Sequence, residues 1–315
     1  MIPGIEFPLF PARASTLAGS VDTVYFFLLG ITAFFSTVIF LCIAIFAIKF
    51  RRRSDDERPP EIHGSLTLEI VWTAIPLAIV IGLFIAGVRI FYAGARPPAN
   101  AMPIYVVGKQ WMWKVQHPEG KSEIDELHVP LGVPVKLLMT SEDVIHDFSI
   151  PAFRIKRDVL PGRYTTEWFQ ATKTGDFHLF CAQYCGTNHS AMVGRVVVME
   201  PSDFEKWLAE VPRSPSMAEN GGKIFAKLNC ATCHSDPRKA PLLAGSFGST
   251  VPLADGGAAV ADEAYLRESI LLPRTRMVAG YPPTMPTYQG QLSESQVLEL
   301  IAYVKSLSGG KGNSR

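Results

Sequence analysis

Two cysteines, a histidine and a methionine lie close together in the segment Cys181–Met192. Thiolate and thioether sulfurs with an imidazole suit copper above other biological metals. A mononuclear copper loop needs only one cysteine, whereas Cys181 and Cys185, followed by His189 and Met192, can bridge two copper ions. That arrangement requires a second imidazole, and His146 is the best upstream candidate. The alternative is a Cys181–Cys185 disulfide in an oxidising compartment, but the ordered run of four soft donors favours copper.

A second cluster, Cys230-Ala-Thr-Cys233-His234, has the spacing of a covalent haem attachment site. The two thiols can form thioethers to a porphyrin, and His234 can present its imidazole to the iron. A zinc site would need a second pair of ligands, and no cysteine follows. The other axial ligand is expected to be Met285, which lies in a rigid, proline-flanked segment. Met277 is the rival.

Two apolar runs near the N-terminus are long enough to cross a bilayer, from Val24 to Ile48 and from about Ile70 to Tyr92. The first run has no charged residue and the second has only Arg89, near its end. Runs of this length and composition are unlike the core helices of soluble proteins. The loop between them carries Lys49, three consecutive arginines and Arg58. Because basic loops stay in the cytoplasm, both chain ends are expected on the outer side.

From about residue 101 to residue 200 the chain consists of short β-rich runs punctuated by proline and glycine. This spacing predicts an antiparallel sandwich or barrel, which can hold metal ligands on loops at one end of a rigid sheet. Ser202–Glu205 has the pattern of a capping box, which predicts a short helix ending near Glu210. Pro212–Ser216 is expected to be a linker.

The region after the linker is typical of a small class I cytochrome c. Gly222 and Phe225 are expected on a helix before the haem motif. A backbone carbonyl at Pro241 or Leu242 could orient His234. Ser293 begins a capping box for a final amphipathic helix.

The inventory of chemical groups excludes several other functions. The net charge of +1 gives no indication of nucleic-acid binding, and Cys42 lies alone in an apolar run. Of the seven histidines, three are assigned above and His63 lies in the basic loop. The remaining three are too few for a catalytic copper cluster: His117, His128 and His178. This argues against a nitrous oxide reductase. A fused copper nitrite reductase would carry a single cysteine in its loop, and a copper chaperone would need no haem.

Taken together, these motifs closely resemble subunit II of cytochrome c oxidase, in the caa-type form that carries a cytochrome c domain. The resemblance runs from about residue 20 to the C-terminus. It implies copper ligation by six residues: His146, Cys181, the carbonyl of Gln183, Cys185, His189 and Met192. It also implies a multidomain membrane protein with a two-helix transmembrane hairpin (1–99), an all-β cupredoxin-like Greek-key domain (100–211), a linker (212–216) and an all-α cytochrome c domain (217–315).

By this resemblance the chain accepts electrons at the haem, passes them through binuclear copper and delivers them to the haem of subunit I. Oxygen is reduced to water there, with proton pumping, in a bacterial inner membrane. The electron donor would be a cytochrome or a quinol-oxidising complex. The alternatives are a redox relay of another respiratory complex and, third, a copper-binding assembly protein.

Three further residues have roles implied by the family. Trp111 matches an aromatic residue at the surface where electrons enter, although the residues alone suggest an ordinary buried tryptophan. Glu69 matches the mouth of a proton path, although an acid in a first helical turn is usually a helix-dipole partner. Asp158 matches an acid near a Mg²⁺ site. The family usually has Glu at position 183, so we expect that Mg²⁺ site to be weakened or absent, because Mg²⁺ prefers carboxylates to a neutral amide.

Overall fold

The computed structural model describes residues 10–58, 64–210 and 215–308. It divides into two units, residues 17–96 and the remainder of the described chain. His63 and residues 212–214 of the expected linker lie outside the described residues.

The smaller unit consists of two long apolar helices. Helix α1 spans Ala18–Lys49 and helix α2 spans Leu66–Ala95. Their most apolar windows have mean hydropathies of 2.6 and 2.4, and none of either window is buried within the protein. Exposed apolar surface of this length matches a lipid environment. The helices contain both expected spans and extend beyond them. Helix α2 begins after its N-cap, Ser65, whose Oγ accepts a hydrogen bond from Leu68 N–H.

The larger unit begins with a sandwich of ten described strands. They are β1 (Met102–Lys109), β2 (Met112–Gln116), β3 (Ser122–Ile124), β4 (Glu126–Pro130), β5 (Pro134–Ser141), β6 (His146–Ile150), β7 (Ile155–Val159), β8 (Thr165–Gln170), β9 (Gly175–Cys181) and β10 (Val193–Met199). One sheet has the order β3-β2-β1-β5-β8 and the other β4-β10-β9-β6-β7.

Most strand pairs in the sandwich are antiparallel, as expected, but β1–β5 and β4–β10 are parallel. Each parallel pair joins strands that are distant in sequence, which is the connection that parallel pairing requires. The two sheets enclose one apolar core whose largest fully buried side chains include Trp113, Phe148, Phe153 and Phe169. Burial of each such side chain contributes about 1.5–3 kcal/mol. The core fixes the sheet ends from which the candidate ligands extend.

Residues 10–16 join the sandwich rather than the helical unit. Ala14 N–H donates to Ala152 O at 3.0 Å, and Ala14 O accepts from Thr172 N–H at 2.9 Å. The Ala14 side chain is fully buried in the sandwich core. The expected first domain, 1–99, therefore differs from the structure in its first described residues.

The rest of the larger unit is mainly helical. Its elements are α3 (Pro201–Ala209), α4 (Met217–Lys227), α5 (Ala231–His234), β11 (Thr250–Pro252), β12 (Ala258–Val260), α6 (Glu263–Leu271) and α7 (Glu294–Ser306). Helices α4 and α7 cross closely at Gly221. A Cβ atom there would lie 1.9 Å from Glu299 O, so only glycine permits this approach. These helices frame the region that carries the haem motif.

The helical region packs against the outer face of the first sheet. Tyr105, Val107 and Leu138 form an apolar cluster with Met217 and Leu298. Nearby, Arg267 donates to Gly162 O at 2.5 Å and is paired with Glu294. The contact therefore combines apolar burial with a charged pair.

The expected capping box at Ser202–Glu205 is wrong. Helix α3 begins at Pro201, and its N-cap, Glu200, makes no side-chain capping bond. Proline is favoured at the first helical position because its missing N–H would be unsatisfied there anyway. By contrast, the predicted capping box at Ser293 is confirmed, with Gln296 as its partner. A second box begins at Ser216, which was expected in the linker.

Candidate metal centres

The candidate copper ligands meet at one end of the second sheet. Strands β6 and β9 are neighbours, with Phe148 opposite Cys181, which brings His146 near the start of the Cys181–Met192 loop. The loop returns to the sheet where Cys181 N–H donates to Met192 O at 3.1 Å. This closed loop explains how ligands distant in sequence converge.

Distances from the two cysteine sulfurs place the other four predicted ligands around them. The distances from the Cys181 sulfur are 3.9 Å to His146 Nδ1 and 3.2 Å to Gln183 O. The distances from the Cys185 sulfur are 3.6 Å to His189 Nδ1 and 3.9 Å to Met192 Sδ. The two cysteine sulfurs lie 3.6 Å apart as free thiols, so the disulfide alternative is not formed.

Each of the two adjacent sulfurs therefore has one imidazole and one further donor beside it. The side chains of His146 and Met192 are fully buried, and those of both cysteines nearly so. Soft sulfur donors, two imidazoles and no carboxylate among the six fit copper better than Mg²⁺ or Ca²⁺. The donor set therefore suits a pair of bridged copper ions.

The two thiols differ in their acidity. Burial raises the pKa of Cys181, but hydrogen bonds with His146 and with the backbone of Asp147 and Gln183 lower it to about 6. Burial, followed by the hydrogen bond with Cys181, raises the pKa of Cys185. Metal ligation requires both sulfurs as thiolates.

Asp143 is a candidate functional residue that the sequence motifs do not reveal. Its Oδ1 lies 2.8 Å from His146 Nε2, which leaves Nδ1 toward Cys181. Asp143 also accepts hydrogen bonds from Gln110 N–H and Val144 N–H, both at 2.7 Å, so its own position is fixed. Carboxylate partners of this kind set the tautomer and orientation of metal-binding imidazoles. The available signal was an acid three residues before a proposed ligand.

Gly108 makes room for the His146 ring. A Cβ atom at this position would lie 3.0 Å from His146 Cδ2 and 3.2 Å from the Trp113 ring. Trp113 itself contacts His146 edge-on, with ring centroids 5.8 Å apart. The imidazole is thus held by packing as well as by Asp143.

Trp111 lies against the copper loop and is only partly buried. Its indole Nε1–H donates to Cys185 O at 3.3 Å, and Gln110 Nε2–H donates to the same oxygen at 2.8 Å. The neighbouring Trp113, not Trp111, is the fully buried sandwich tryptophan. Trp111 therefore contacts the backbone of a candidate ligand.

Gln183 and Asp158 lie on different segments of the copper end. The Gln183 carbonyl faces the Cys181 sulfur, whereas the residue as a whole is exposed. Asp158, on β7, is opposite Asp147 of β6. Burial, and next the hydrogen bond and charge of Asp158, raise the pKa of Asp147 to about 7 despite Lys156. No hydrogen bond joins Asp158 to Gln183 in the described structure.

The haem motif lines a cavity of about 390 Å³ in the helical region. Cys230, Cys233 and His234 are among its lining residues, and most of the others are apolar. His234 Nδ1–H donates to Pro241 O at 2.8 Å, as expected, which leaves Nε2 available for iron. Both Met277 and Met285 line this cavity. The lining residues fit a covalent haem c. The assignment of Met285 as the second iron ligand stays a prediction.

Glu69 lies in the first turn of α2, on an exposed surface. This position matches the helix-dipole interpretation and leaves its implied role in proton uptake as a prediction.

Comparisons with known proteins match the three regions in chain order. Residues 5–90 match the family described as "Cytochrome C oxidase subunit II, transmembrane domain". Residues 121–200 match "Cytochrome C oxidase subunit II, periplasmic domain". Residues 218–308 match "Cytochrome c".

Individual proteins agree with these matches. Cytochrome c oxidase subunit 2 of Thermostichus vulcanus is 32% identical over an alignment of 271 positions, gaps included, which covers 67% of this chain and 83% of that protein. The protein of the same name from Alkalihalophilus pseudofirmus is 29% identical over an alignment of 297 positions, gaps included, which covers 88% of this chain and 84% of that protein. The crystal structure of the periplasmic domain of subunit II of cytochrome oxidase (CoxB) of Bradyrhizobium japonicum is 31% identical, with a TM-score of 0.35, and covers 36% of this chain and 95% of its own.

The order of the three matched regions agrees with the hairpin, the sandwich and the helical haem region described above. The predicted fold class is thereby confirmed, and the copper and haem chemistry belongs to the two matched soluble regions. The chain belongs to the cytochrome c oxidase subunit II family, in the form whose copper domain is followed by a cytochrome c domain.

Proposed function

We propose that this electron-transfer subunit accepts electrons at its cytochrome c domain and passes them through the copper domain to the haem of subunit I. Oxygen is reduced to water in that partner, with proton pumping. One observation carries the proposal: a set of six converging copper donors and a haem cavity lie in one unit of the chain.

The ligand assignments are part of this proposal. Two copper ions are held by His146, Cys181, the Gln183 carbonyl, Cys185, His189 and Met192. One haem c would be attached at Cys230 and Cys233, and His234 and Met285 would bind its iron. These groups, when bound, supply two one-electron carriers.

The protein's own residues keep these carriers in fixed positions. Asp143 and Gly108 hold the His146 ring, and the Pro241 carbonyl holds His234. Buried ligands on a rigid sandwich change little between redox states, which favours rapid transfer. Trp111, which donates a hydrogen bond to the Cys185 carbonyl, is the proposed point at which electrons reach the copper domain.

The membrane arrangement follows from the helical hairpin and its basic loop. We place both soluble domains and both termini on the outer side of a bacterial inner membrane. Subunit I binds the hairpin and the copper end, and Glu69 lies at the mouth of its proton path. The proposed domains are the helical hairpin up to residue 99, the copper domain (100–211), the linker (212–216) and the cytochrome c domain (217–315), and residues 10–16 belong with the copper domain.

Gln183 makes a family Mg²⁺ site weak or absent in this proposal. Copper needs only the backbone carbonyl of residue 183, so Gln183→Glu should leave the copper spectrum unchanged. The new carboxylate should increase Mn²⁺ or Mg²⁺ retention in the assembled complex. Stoichiometric Mg²⁺ in the wild-type complex would disprove this part of the proposal.

Metal analysis of the purified native complex tests the function. The chain should carry two coppers and one covalent haem, and its copper electron paramagnetic resonance should show one electron shared by two nuclei. A hyperfine pattern from a single copper would remove the binuclear assignment. Cys185→Ser should abolish the copper signal and leave the covalent haem spectrum intact, because the two ligand sets do not overlap.

A further inference from the structure

The lining of the haem cavity is unbalanced in charge. Lys239, Arg274 and Arg276 line it, and no Asp or Glu is among its described lining residues. A haem that enters this cavity brings two propionate carboxylates. The described lining therefore has three cations and no acid, which matches the charge of the group that the cavity is proposed to hold.

Arg276 differs from the other two cations in being held in place. Lys239 and Arg274 are exposed, whereas the Arg276 side chain is only 38% exposed. Its Nε–H donates to Glu268 Oε2 at 2.6 Å, and Nη2 contacts the same carboxylate oxygen. Its guanidinium also lies 5.2 Å from the centre of the Tyr265 ring, which is buried and lines the cavity.

One donor of the Arg276 fork is left over. Nε and Nη2 are occupied by Glu268, and Nη1 has no hydrogen-bond partner among residues 215–308. Arg276 lines the cavity, whereas its partner Glu268 is not among the lining residues. A guanidinium with fixed orientation is well suited to bind a carboxylate.

We propose that Arg276 binds a haem propionate and that Glu268 is its positioning residue. The proposal rests on the proposed covalent haem. Arg276 then favours the reduced haem, because a nearby positive charge stabilises an added electron, and Glu268 partly offsets that effect.

The test uses the full chain in the purified oxidase and measures the reduced fraction of haem c at a fixed ambient potential. Arg276→Gln should lower the ratio of reduced to oxidised haem about tenfold, as expected for a unit charge ~10 Å away at an effective dielectric of ~20. For one electron, tenfold equals 59 mV. Glu268→Gln should raise the ratio. Arg274→Gln, an exposed cation at the same cavity, should change it less than twofold.

The two variants should change the ratio of reduced to oxidised haem in opposite directions, which distinguishes a charge effect from loosening of the fold. Loosening would admit water to the haem and lower the ratio in both Arg276→Gln and Glu268→Gln. Equal changes in Arg276→Gln and Arg274→Gln would overturn the proposal, as would a lowered or unchanged ratio in Glu268→Gln. If Arg276→Gln fails to assemble, two other variants test the proposal. Arg276→Lys should keep the ratio within about threefold of the wild-type value, and Glu268→Gln should raise it. A wild-type chain without covalent haem would instead disprove the proposed function.

Discussion

Single hydrogen-bond partners orient two of the proposed metal ligands, His146 and His234. At the copper end, His146 is held on Nε2 by Asp143 and packed against Trp113. At the haem cavity, His234 is held on Nδ1 by Pro241 O. In both cases the partner selects the nitrogen that remains for the metal. The ligand types could be predicted from their spacing, whereas Asp143 could not, because an acid in a loop has many uses.

Asp143→Ala should weaken copper binding by about 10- to 100-fold, the usual cost of removing a partner of a metal ligand. The His146 ring would lose its preferred tautomer and orientation. Competition with a chelator of known affinity measures this directly. Asp143→Asn, which keeps an acceptor oxygen, is the matched control and should bind copper more tightly than the alanine variant. Wild-type affinity in Asp143→Ala would show that the contact does not position His146.

Met285 and Met277 offer a second test at this scale, because both line the haem cavity. Met285→Ala should abolish the weak methionine-to-iron absorption band at long wavelength and lower the haem potential. Met277→Ala should retain the band. Visible spectra of the two variants decide between them, and the reverse result would assign the ligand to Met277.

At the scale of elements, close approaches between helices and strands position the ligands. The crossing of α4 and α7 depends on Gly221, and the sheet pair β6–β9 joins His146 to the copper loop. The final helix could be predicted from its capping residues and apolar face. The start of α3 could not, since Pro201 and Ser202 both carry signals for a helix start and the structure uses the proline.

Gly221→Ala should destabilise the cytochrome domain by about 2–3 kcal/mol, or prevent its folding, because the new methyl group meets backbone rather than a movable side chain. Gly222→Ala is the matched control. Its Cβ would meet the Tyr303 ring at 3.2 Å, which a side-chain shift can relieve. Thermal unfolding monitored at the haem absorption compares the two. Equal stability would show that the helices separate easily.

A buried carboxylate, Glu123, makes the sandwich sensitive to acid. Burial raises its pKa, but hydrogen bonds with His117 and His128 outweigh burial and lower the pKa to about 2. His128 stacks on Trp207 of α3, with ring centroids 4.4 Å apart. Because the folded-state value is depressed, this stabilisation is fully present above about pH 4.5, the unfolded value, and is lost as pH falls toward 2.

Glu123→Gln should therefore lower the free energy of unfolding at pH 7 by about 2–3 kcal/mol and flatten the dependence of stability on pH between about 2 and 4.5. Denaturant titrations of the full chain, followed by tryptophan fluorescence, give both quantities. Glu126→Gln, at the Glu126–Arg195 surface pair, is the control and should leave the acid transition in place. An unchanged acid transition in Glu123→Gln would contradict this account.

At the scale of the whole molecule, one chain combines a membrane anchor with two redox domains. The order of these regions could be predicted from the apolar runs, the β-rich texture and the two cysteine motifs. The contact between the sandwich and the cytochrome domain could not, because residues such as Tyr105 and Leu298 resemble ordinary core residues until the fold brings them together. The return of Ala14 to the sandwich likewise has no local sequence signal.

The central claim is that electrons pass from the haem of this chain to its copper pair and then to subunit I. Rapid mixing of the purified oxidase with its reduced donor, with the haem c and copper bands followed separately, tests it most directly. Haem c should be reduced first and should then be reoxidised at the rate at which copper is reduced. In Cys185→Ser, haem c should stay reduced and oxygen consumption should stop. Reduction of the subunit I haem at an unchanged rate in Cys185→Ser would contradict the account.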